Sequence, residues 1–168
     1  ALFLADETGL FSGSPRRVKV SASPLDSSIA CTAGDIDGDG DLDVWVTQYK
    51  PPYLKGNFPQ PYFDSNDGWP SYLLINDGWG NFKEGTEEAG LADKRYRRTW
   101  ASSFVDLDKD HDLDLLVIND FAGLDVYHND GTGKFKDVTS HLGEDRHSFG
   151  MSHALADFNR DGHGFQSL

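Results

Sequence analysis

Apolar and polar residues along this chain follow a pattern that repeats, and the pattern predicts short β-strands joined by tight turns. The segment NDGWGNFKEGT, residues 76–86, recurs as NDGTGKFKDVT, residues 129–139, at an offset of 53 residues. Each copy places an Asp-Gly turn between apolar runs, which is typical of a β-hairpin. The second copy predicts four strands, and the first copy matches them strand for strand. The four predicted strands are 99–105, 115–119, 124–128 and 134–139.

A second repeated motif precedes each hairpin. It reads DIDGDGDLD at residues 35–43 and DLDKDHDLD at 106–114, and a degraded copy, DFNRDGHGF, begins at Asp157. Unbroken apolar runs follow the first two copies, at 44–46 and 115–118, and such runs suit strands that are covered on both faces. A four-stranded unit with a period near 50 residues and a buried inner strand predicts a β-propeller blade. We therefore expect an all-β fold, a partial β-propeller with two complete four-stranded blades and flanking partial blades.

The repeats divide the chain into blade units within a single domain. We expect blade repeats at about 28–87 and 99–140, a partial repeat at 149–168 whose first strand spans 149–156, and the last strand of a preceding blade at 1–8. The first Asp motif lies 71 residues before the second and the second 51 before the third, so the first repeat contains an insertion, at 49–70. Five of the seven prolines fall in this insertion, which excludes a helix or a central strand there. Two interpretations are open: a solvated loop with aromatics folded back onto the sheet, or a loop that binds a partner or ligand.

Each Asp motif spaces carboxylates at every second residue, as a cation-binding loop requires. Four carboxylates within nine residues repel one another unless a cation lies between them, and oxygen ligands without His or Cys favour Ca²⁺ over Zn²⁺ or Mg²⁺. The loops lack the twelfth-position Glu and the flanking helices of an EF-hand. In the third loop Phe165 stands in the ninth place, so metal binding there is open. The predicted ligands are Asp35, Asp37, Asp39, Asp41 and Asp43 in the first loop, Asp106, Asp108, Asp110, Asp112 and Asp114 in the second, and Asp157, Asn159 and Asp161 in the third, with Asp41 and Asp112 acting through their carbonyls.

Composition narrows the class of partner. Lys and Arg number 15 against 28 Asp and Glu, and the net charge of −13 disfavours nucleic acid and anionic membranes. No apolar run approaches the ~20 residues of a spanning helix, so we expect no membrane insertion. Cys31 is the only cysteine, which excludes an intrachain disulfide, and we expect it to pack as a small apolar side chain. The six His show no ligand spacing such as HExxH, and no nucleophile or phosphate-binding motif is present, so we expect no enzymatic activity.

The motif DxDxDGxxD between two strands, repeated together with NDGxGxFxxxT hairpins, resembles the FG-GAP/VCBS repeats of integrin-α-type β-propellers. The phrase NDGWGNFKEGTEEAGL is especially similar to secreted propellers related to cartilage acidic protein and their bacterial homologues. The resemblance covers nearly the whole chain, with His111 and the sequence after Gly162 as departures. It implies a seven-bladed propeller with Ca²⁺ in the blade loops, used outside the cell for adhesion or protein recognition.

These observations favour a calcium-binding extracellular or periplasmic module that recognises a protein or glycan ligand, with Ca²⁺ structural in the blade loops. The alternatives are a non-catalytic propeller domain of a larger secreted enzyme, for example a carbohydrate-active one, or a structural spacer. A propeller ring needs ~4–8 blades. We therefore expect the remainder of a longer propeller chain, or copies joined head to tail, to close the ring.

Overall fold

The chain forms two four-stranded antiparallel sheets, one from each repeat. The computed structural model describes residues 7–15 and 25–157. The first sheet has the order β1-β2-β3-β4, with β1 at Ser28–Gly34, β2 at Asp43–Gln48, β3 at Tyr72–Asn76 and β4 at Phe82–Glu84. The second has the order β5-β6-β7-β8, with β5 at Arg98–Val105, β6 at Asp114–Asp120, β7 at Gly123–Asn129 and β8 at Phe135–Asp137. The predicted all-β fold is confirmed: the sheets are two successive four-stranded units of a partial β-propeller.

The main core lies between the two sheets. Successive strand residues point to opposite faces, so Trp45 of β2 and Leu73 of β3 face the second sheet, where Leu115 and Val117 of β6 meet them. Trp45 is 3% exposed and Leu73 is fully buried. The cluster is completed by Ile36, Ala89, Leu91, Tyr127 and Phe135.

The opposite face of the second sheet is also covered. Leu116 and Ile118 of β6 point away from the first sheet and pack with Val126 and Val138. Leu142 and Leu155, from the chain after β8, lie against them. The apolar run 115–118 is therefore buried on both faces, as its composition predicts.

The segment after β8 differs from the expectation. A 3₁₀ segment, Thr139–Arg146, follows β8, and residues 147–157 have no regular secondary structure, so the strand expected at 149–156 is wrong. A strand needs a hydrogen-bonded neighbour, and no strand among residues 7–15 and 25–157 pairs with 149–156. Residues 147–157 instead attach to the second sheet through side chains such as Leu155. At the other end, residues 1–6 of the strand expected at 1–8 lie outside the described residues, and Glu7 and Thr8 form a turn.

The insertion is fastened to the start of the second sheet by two consecutive arginines. Its only regular element is a 3₁₀ turn at Leu54–Gly56. Arg98 is 2% exposed and donates hydrogen bonds to the Lys50 carbonyl at 3.0 Å and to Ser65 Oγ at 2.7 Å, and it pairs with Asp67. Burial alone would raise the pKa of Asp67, but hydrogen bonds from Arg98 and Ser65 lower it to about 2. The insertion is thus folded back onto the second sheet.

The first of these arginines, Arg97, is buried against the same segment. It pairs with Asp64 of the insertion and, at 2.7 Å, with the buried Asp125 of β7. Arg146 adds a contact of 3.4 Å to Asp64. Blade and insertion therefore share one ion-pair network.

The structure also places the single cysteine. Cys31 is exposed on β1, so the expectation that it packs as a small apolar side chain is wrong. It lies on the face of β1 that points away from the second sheet, which the alternation of the strand dictates. Within residues 7–15 and 25–157, no helix has the length and apolar character needed to cross a membrane.

Candidate metal centre

The first Asp loop connects β1 to β2 and is held open by its own first residue. Oδ1 of Asp35 accepts a hydrogen bond from the Gly38 amide at 2.9 Å, and Oδ2 accepts one from the Gly40 amide at 3.1 Å. Gly38 and Gly40 have φ angles of 75° and 92°, a left-handed conformation that glycine adopts without steric cost. The motif's glycines therefore allow the chain to curl around its own carboxylates.

This curl brings carboxylates together without a basic partner. One oxygen each from Asp35, Asp37 and Asp39 lies within 4.8 Å of the others. Among residues 7–15 and 25–157, no Lys or Arg side chain pairs with any of the three. Three like charges at this separation repel one another and attract a cation.

Asp43, the ninth residue of the first loop, is a buried carboxylate with one oxygen unsatisfied. The residue is 1% exposed, and its Oδ1 accepts the Asn76 amide at 2.9 Å. Its Oδ2 has no hydrogen-bond partner of normal geometry among the described residues. Burial raises the pKa of Asp43 to about 6; the neighbouring charges of Asp37 and Asp41 contribute to this rise, and hydrogen bonds from backbone amides oppose it. A buried anionic oxygen without a donor costs several kcal/mol of solvation, which a cation would restore. The residues present fit a bound metal ion.

The second Asp loop, between β5 and β6, adopts the same backbone with different residues. Asp106 accepts the Lys109 amide at 2.7 Å and the His111 amide at 3.2 Å, as Asp35 does with its two glycines. Lys109 and His111 have φ angles of 73° and 77°, which non-glycine residues adopt at a cost of about 1–2 kcal/mol each. Oxygens of Asp106, Asp108 and Asp110 again lie within 4.8 Å of one another. The second loop therefore has the backbone geometry of the first, although Lys109 and His111 adopt it at a steric cost that glycine avoids.

His128 is a neighbour of the second loop that the motif spacing did not reveal. Its Nδ1 lies 3.2 Å from Oδ2 of Asp108, and His128, Asp108 and Asp114 form a separate group whose ligand atoms lie within 4.8 Å of one another. Asp114 is fully buried, and its oxygens accept the amides of Asn129 and Leu107, both at 2.9 Å. Burial raises the pKa of Asp114. The signal in the sequence was the position of His128, directly before the repeated NDG turn that faces the Asp loop.

The hairpin asparagines tie the loops to the sheets and to each other. Asn76 donates from Nδ2 to the Leu42 carbonyl at 3.3 Å. Asn129 donates from the equivalent atom to the carbonyls of Leu113, at 3.2 Å in its own loop, and Ile36, at 2.7 Å in the first loop. Asn129 therefore bridges the two Asp loops.

The seventh-position residues and the third loop complete the predicted set. A Cβ at Gly131 would lie 2.6 Å from Oδ2 of Asp112, so the Asp112 carboxylate faces the hairpin turn, and Gly78 approaches Asp41 in the same way at 3.2 Å. Of the third loop only Asp157, which is half-buried, falls among the described residues. Asn159 and Asp161 lie outside them.

A second candidate surface lies where the insertion meets the second sheet. We call Tyr62, Phe63, Phe121 and Phe149 the aromatic patch; their rings contact one another at centroid distances of 5.3 to 6.1 Å. Phe63 is 67% exposed and Phe149 49% exposed. A cleft of about 150 Å³ between them adjoins a polar cavity of about 350 Å³ lined by Lys94, Arg97 and Arg146, and Asp64 borders both. Exposed aromatic rings in this number are typical of interaction surfaces.

Among the described residues, Ser103 and His153 most resemble the nucleophile and general base of a hydrolase. Ser103 Oγ lies 2.6 Å from His153 Nε2. Among residues 7–15 and 25–157, Nδ1 of His153 is buried without a hydrogen-bond partner, so no carboxylate of this part orients the ring as in a catalytic triad. Burial also lowers the pKa of His153.

Comparison with known proteins adds one result. Residues 106–164 match the model of the FG-GAP-like repeat family, a stretch that begins at the first Asp of the second loop and contains β6, β7 and β8. The match supports the FG-GAP assignment and a propeller-type protein-interaction module. No curated protein matches the chain.

Proposed function

We propose that this chain is a Ca²⁺-stabilised extracellular or periplasmic module that recognises a protein or glycan, and that it is not an enzyme. The observation that carries the proposal is Asp43, a buried carboxylate with one oxygen that no described residue satisfies, beside a loop of three more carboxylates. Oxygen donors in flexible number favour Ca²⁺, which is plentiful outside cells. Binding energy gained at such a loop becomes folding energy.

Calcium dependence is tested by melting the protein in Ca²⁺ and in excess chelator. We expect chelation to lower the melting temperature by several degrees, and Asp35→Asn to remove most of the Ca²⁺-dependent difference at the first loop. The exposed Asp93→Asn is the control, and the same change at Asp157 should matter less than at Asp35. Identical melting curves with and without Ca²⁺ would refute the structural role of the ion.

Recognition is proposed for the aromatic patch. Its rings come from the insertion, from the β6–β7 turn and from the segment after β8, all fixed to a rigid sheet, as is common for binding surfaces. Protein and glycan arrays should be probed with the intact chain and with Tyr62→Ala and Phe63→Ala. The control is Trp79→Ala, because Trp79 is 80% exposed on the β3–β4 turn, outside the patch. Ligands that bind all variants equally would place recognition elsewhere on the chain.

The remaining expectations belong to the same proposal. A seven-bladed ring of the type related to cartilage acidic protein would be completed by further blades of a longer chain or by head-to-tail copies, and a net charge of −13 argues against nucleic acid as partner. The unoriented His153 beside Ser103 supports a non-catalytic role. Absence of hydrolytic turnover on ester, peptide and glycoside substrates, with Ca²⁺ present, is the expected result.

A further inference from the structure

His128 brings an imidazole to the second Asp loop from a different element of the fold. It lies on β7, is half-buried, and has its Nδ1 3.2 Å from Oδ2 of Asp108. Asp114 contributes from the start of β6, so the three ligand atoms converge from a loop and two strands. A cation with bonds of about 2.0–2.2 Å places adjacent ligand atoms about 3 Å apart, which the His128–Asp108 pair already satisfies.

The first repeat shows that the hairpin does not require a histidine at this position. The residue equivalent to His128 is Ile75, which packs against the core between the sheets. The first loop is therefore lined by oxygen donors alone, whereas the second has a nitrogen donor. His111, the other histidine at the second loop, has a side chain that is 95% exposed and lies 3.9 Å from Asp106.

Donor chemistry separates the two loops. Carboxylates suit Ca²⁺, whereas imidazole suits first-row transition cations, for which a mixed nitrogen and oxygen set is the common arrangement. Two carboxylates and a neutral imidazole also balance the charge of one divalent cation. The carboxylate oxygens of Asp114, each accepting one amide, keep a second lone pair for a metal.

We propose that the second loop binds a first-row divalent transition cation, with Zn²⁺ as its representative, through Asp108, Asp114 and His128, while the first loop takes Ca²⁺. This inference rests on the proposed metal-binding function of the same loops and adds the cation class of one of them. Two equivalent positions in successive repeats thereby hold chemically different ions.

Calorimetric titration of the chelator-treated protein with Zn²⁺ and, separately, with Ca²⁺ tests the proposal. His128→Ile installs the residue of the first repeat, and we expect it to weaken the tightest Zn²⁺ binding at least about tenfold while Ca²⁺ binding at the first loop is unchanged. His111→Asn is the matched control, since it removes the exposed imidazole of the same loop and asparagine tolerates the left-handed backbone; it should leave Zn²⁺ affinity unchanged. His128→Gln, which keeps a polar side chain, serves if the isoleucine variant melts early.

A spectroscopic measurement on the unaltered chain complements the variants. Cu²⁺ added at one equivalent should give a pulsed-EPR signal from a coordinated imidazole nitrogen, and His128→Gln should remove that signal. Equal Zn²⁺ affinity in the parent chain and both His128 variants, or equal losses in His128→Ile and His111→Asn, would overturn the inference while leaving the Ca²⁺ proposal intact. If the parent chain binds no Ca²⁺ in the titration, the proposed function is refuted instead.

Discussion

Asn129 offers the sharpest test of how the two repeats support each other. The residue is 5% exposed, and its side chain makes three hydrogen bonds: to the Ile36 carbonyl at 2.7 Å, to the Leu113 carbonyl at 3.2 Å, and from the Gly133 amide at 3.1 Å. Asn129→Ala removes all three and leaves buried backbone groups without partners. At a net 0.5–1.5 kcal/mol per bond, with the upper end for buried groups, the expected loss of unfolding free energy is about 3–4 kcal/mol.

The chain supplies its own matched control in Asn76. The side chain of Asn76 also makes three hydrogen bonds, but it is more exposed, and its bond to the Leu42 carbonyl is 3.3 Å long. Water can replace these partners, so Asn76→Ala should cost only about 1 kcal/mol. The difference between the variants reports the greater burial of Asn129 together with its bond from one repeat to the other.

Urea denaturation followed by far-ultraviolet dichroism and tryptophan fluorescence measures both losses, and coincident transitions establish two-state unfolding. For a chain of this size 3–4 kcal/mol corresponds to a fall in melting temperature of roughly 6–15 °C. If Asn129→Ala costs no more than Asn76→Ala, the bond to Ile36 contributes nothing and the repeats are not coupled through it.

Four further substitutions, one of them a control, have defined outcomes. His111→Gly should raise the free energy of unfolding by about 0.5–1 kcal/mol, because the φ of 77° is strained for histidine, and an unchanged or lower urea midpoint would contradict this. Asp67→Asn should lower the free energy of unfolding by about 1–2 kcal/mol at pH 6. The difference from the parent chain should shrink as the pH falls from 4 to 2, because the pKa of Asp67 in the folded protein is about 2, below the ordinary value of 3.8. An undiminished difference at pH 2 would contradict the ion pair with Arg98 as its cause. Arg98→Met should lower the free energy of unfolding by about 3–5 kcal/mol because it leaves buried partners unpaired. The control is Lys83→Met, which breaks a pair between side chains 78% and 57% exposed and should change the free energy of unfolding by no more than about 0.5 kcal/mol. Similar denaturation midpoints for the two variants would rule out Arg98 as the anchor of the insertion.

The repeat was the part of the fold that sequence could predict. The unbroken run 115–118 indicated a strand covered on both faces, and it is buried on both. The two complete Asp loops also adopt matching backbones, although only the first has glycine at the left-handed positions. These features depend on residues that are close together in the chain, so their pattern is visible without the fold.

Features that depend on contacts between residues far apart in the chain could not be predicted from the sequence. Arg97 and Arg98 read as charges at the start of a strand, yet both are buried because Asp64 and Asp67 reach them from more than 30 residues away. His128 approaches Asp108 only because β7 pairs with β6. The strand expected at 149–156 was wrong for the same reason, since its place in the repeat does not state whether a neighbouring strand pairs with it.

The insertion begins and ends at almost the same point of the first sheet. Gln48 Nε2 donates to the Pro70 carbonyl at 2.6 Å, so the two ends are joined across the gap that they span. In the second sheet the equivalent connection is the two-residue turn between Asp120 and Gly123. Segments whose ends meet can be exchanged without moving the strands that carry them.

Closing a loop about ten times longer costs only roughly 2 kcal/mol of chain entropy, which the contacts of Arg98 offset. The two sheets therefore do not depend on the sequence of the insertion. The length and sequence of this segment can change while the Asp loops and the sheets stay the same, whereas the Asp120–Gly123 turn of the second sheet cannot, because its Phe121 and Ala122 are buried.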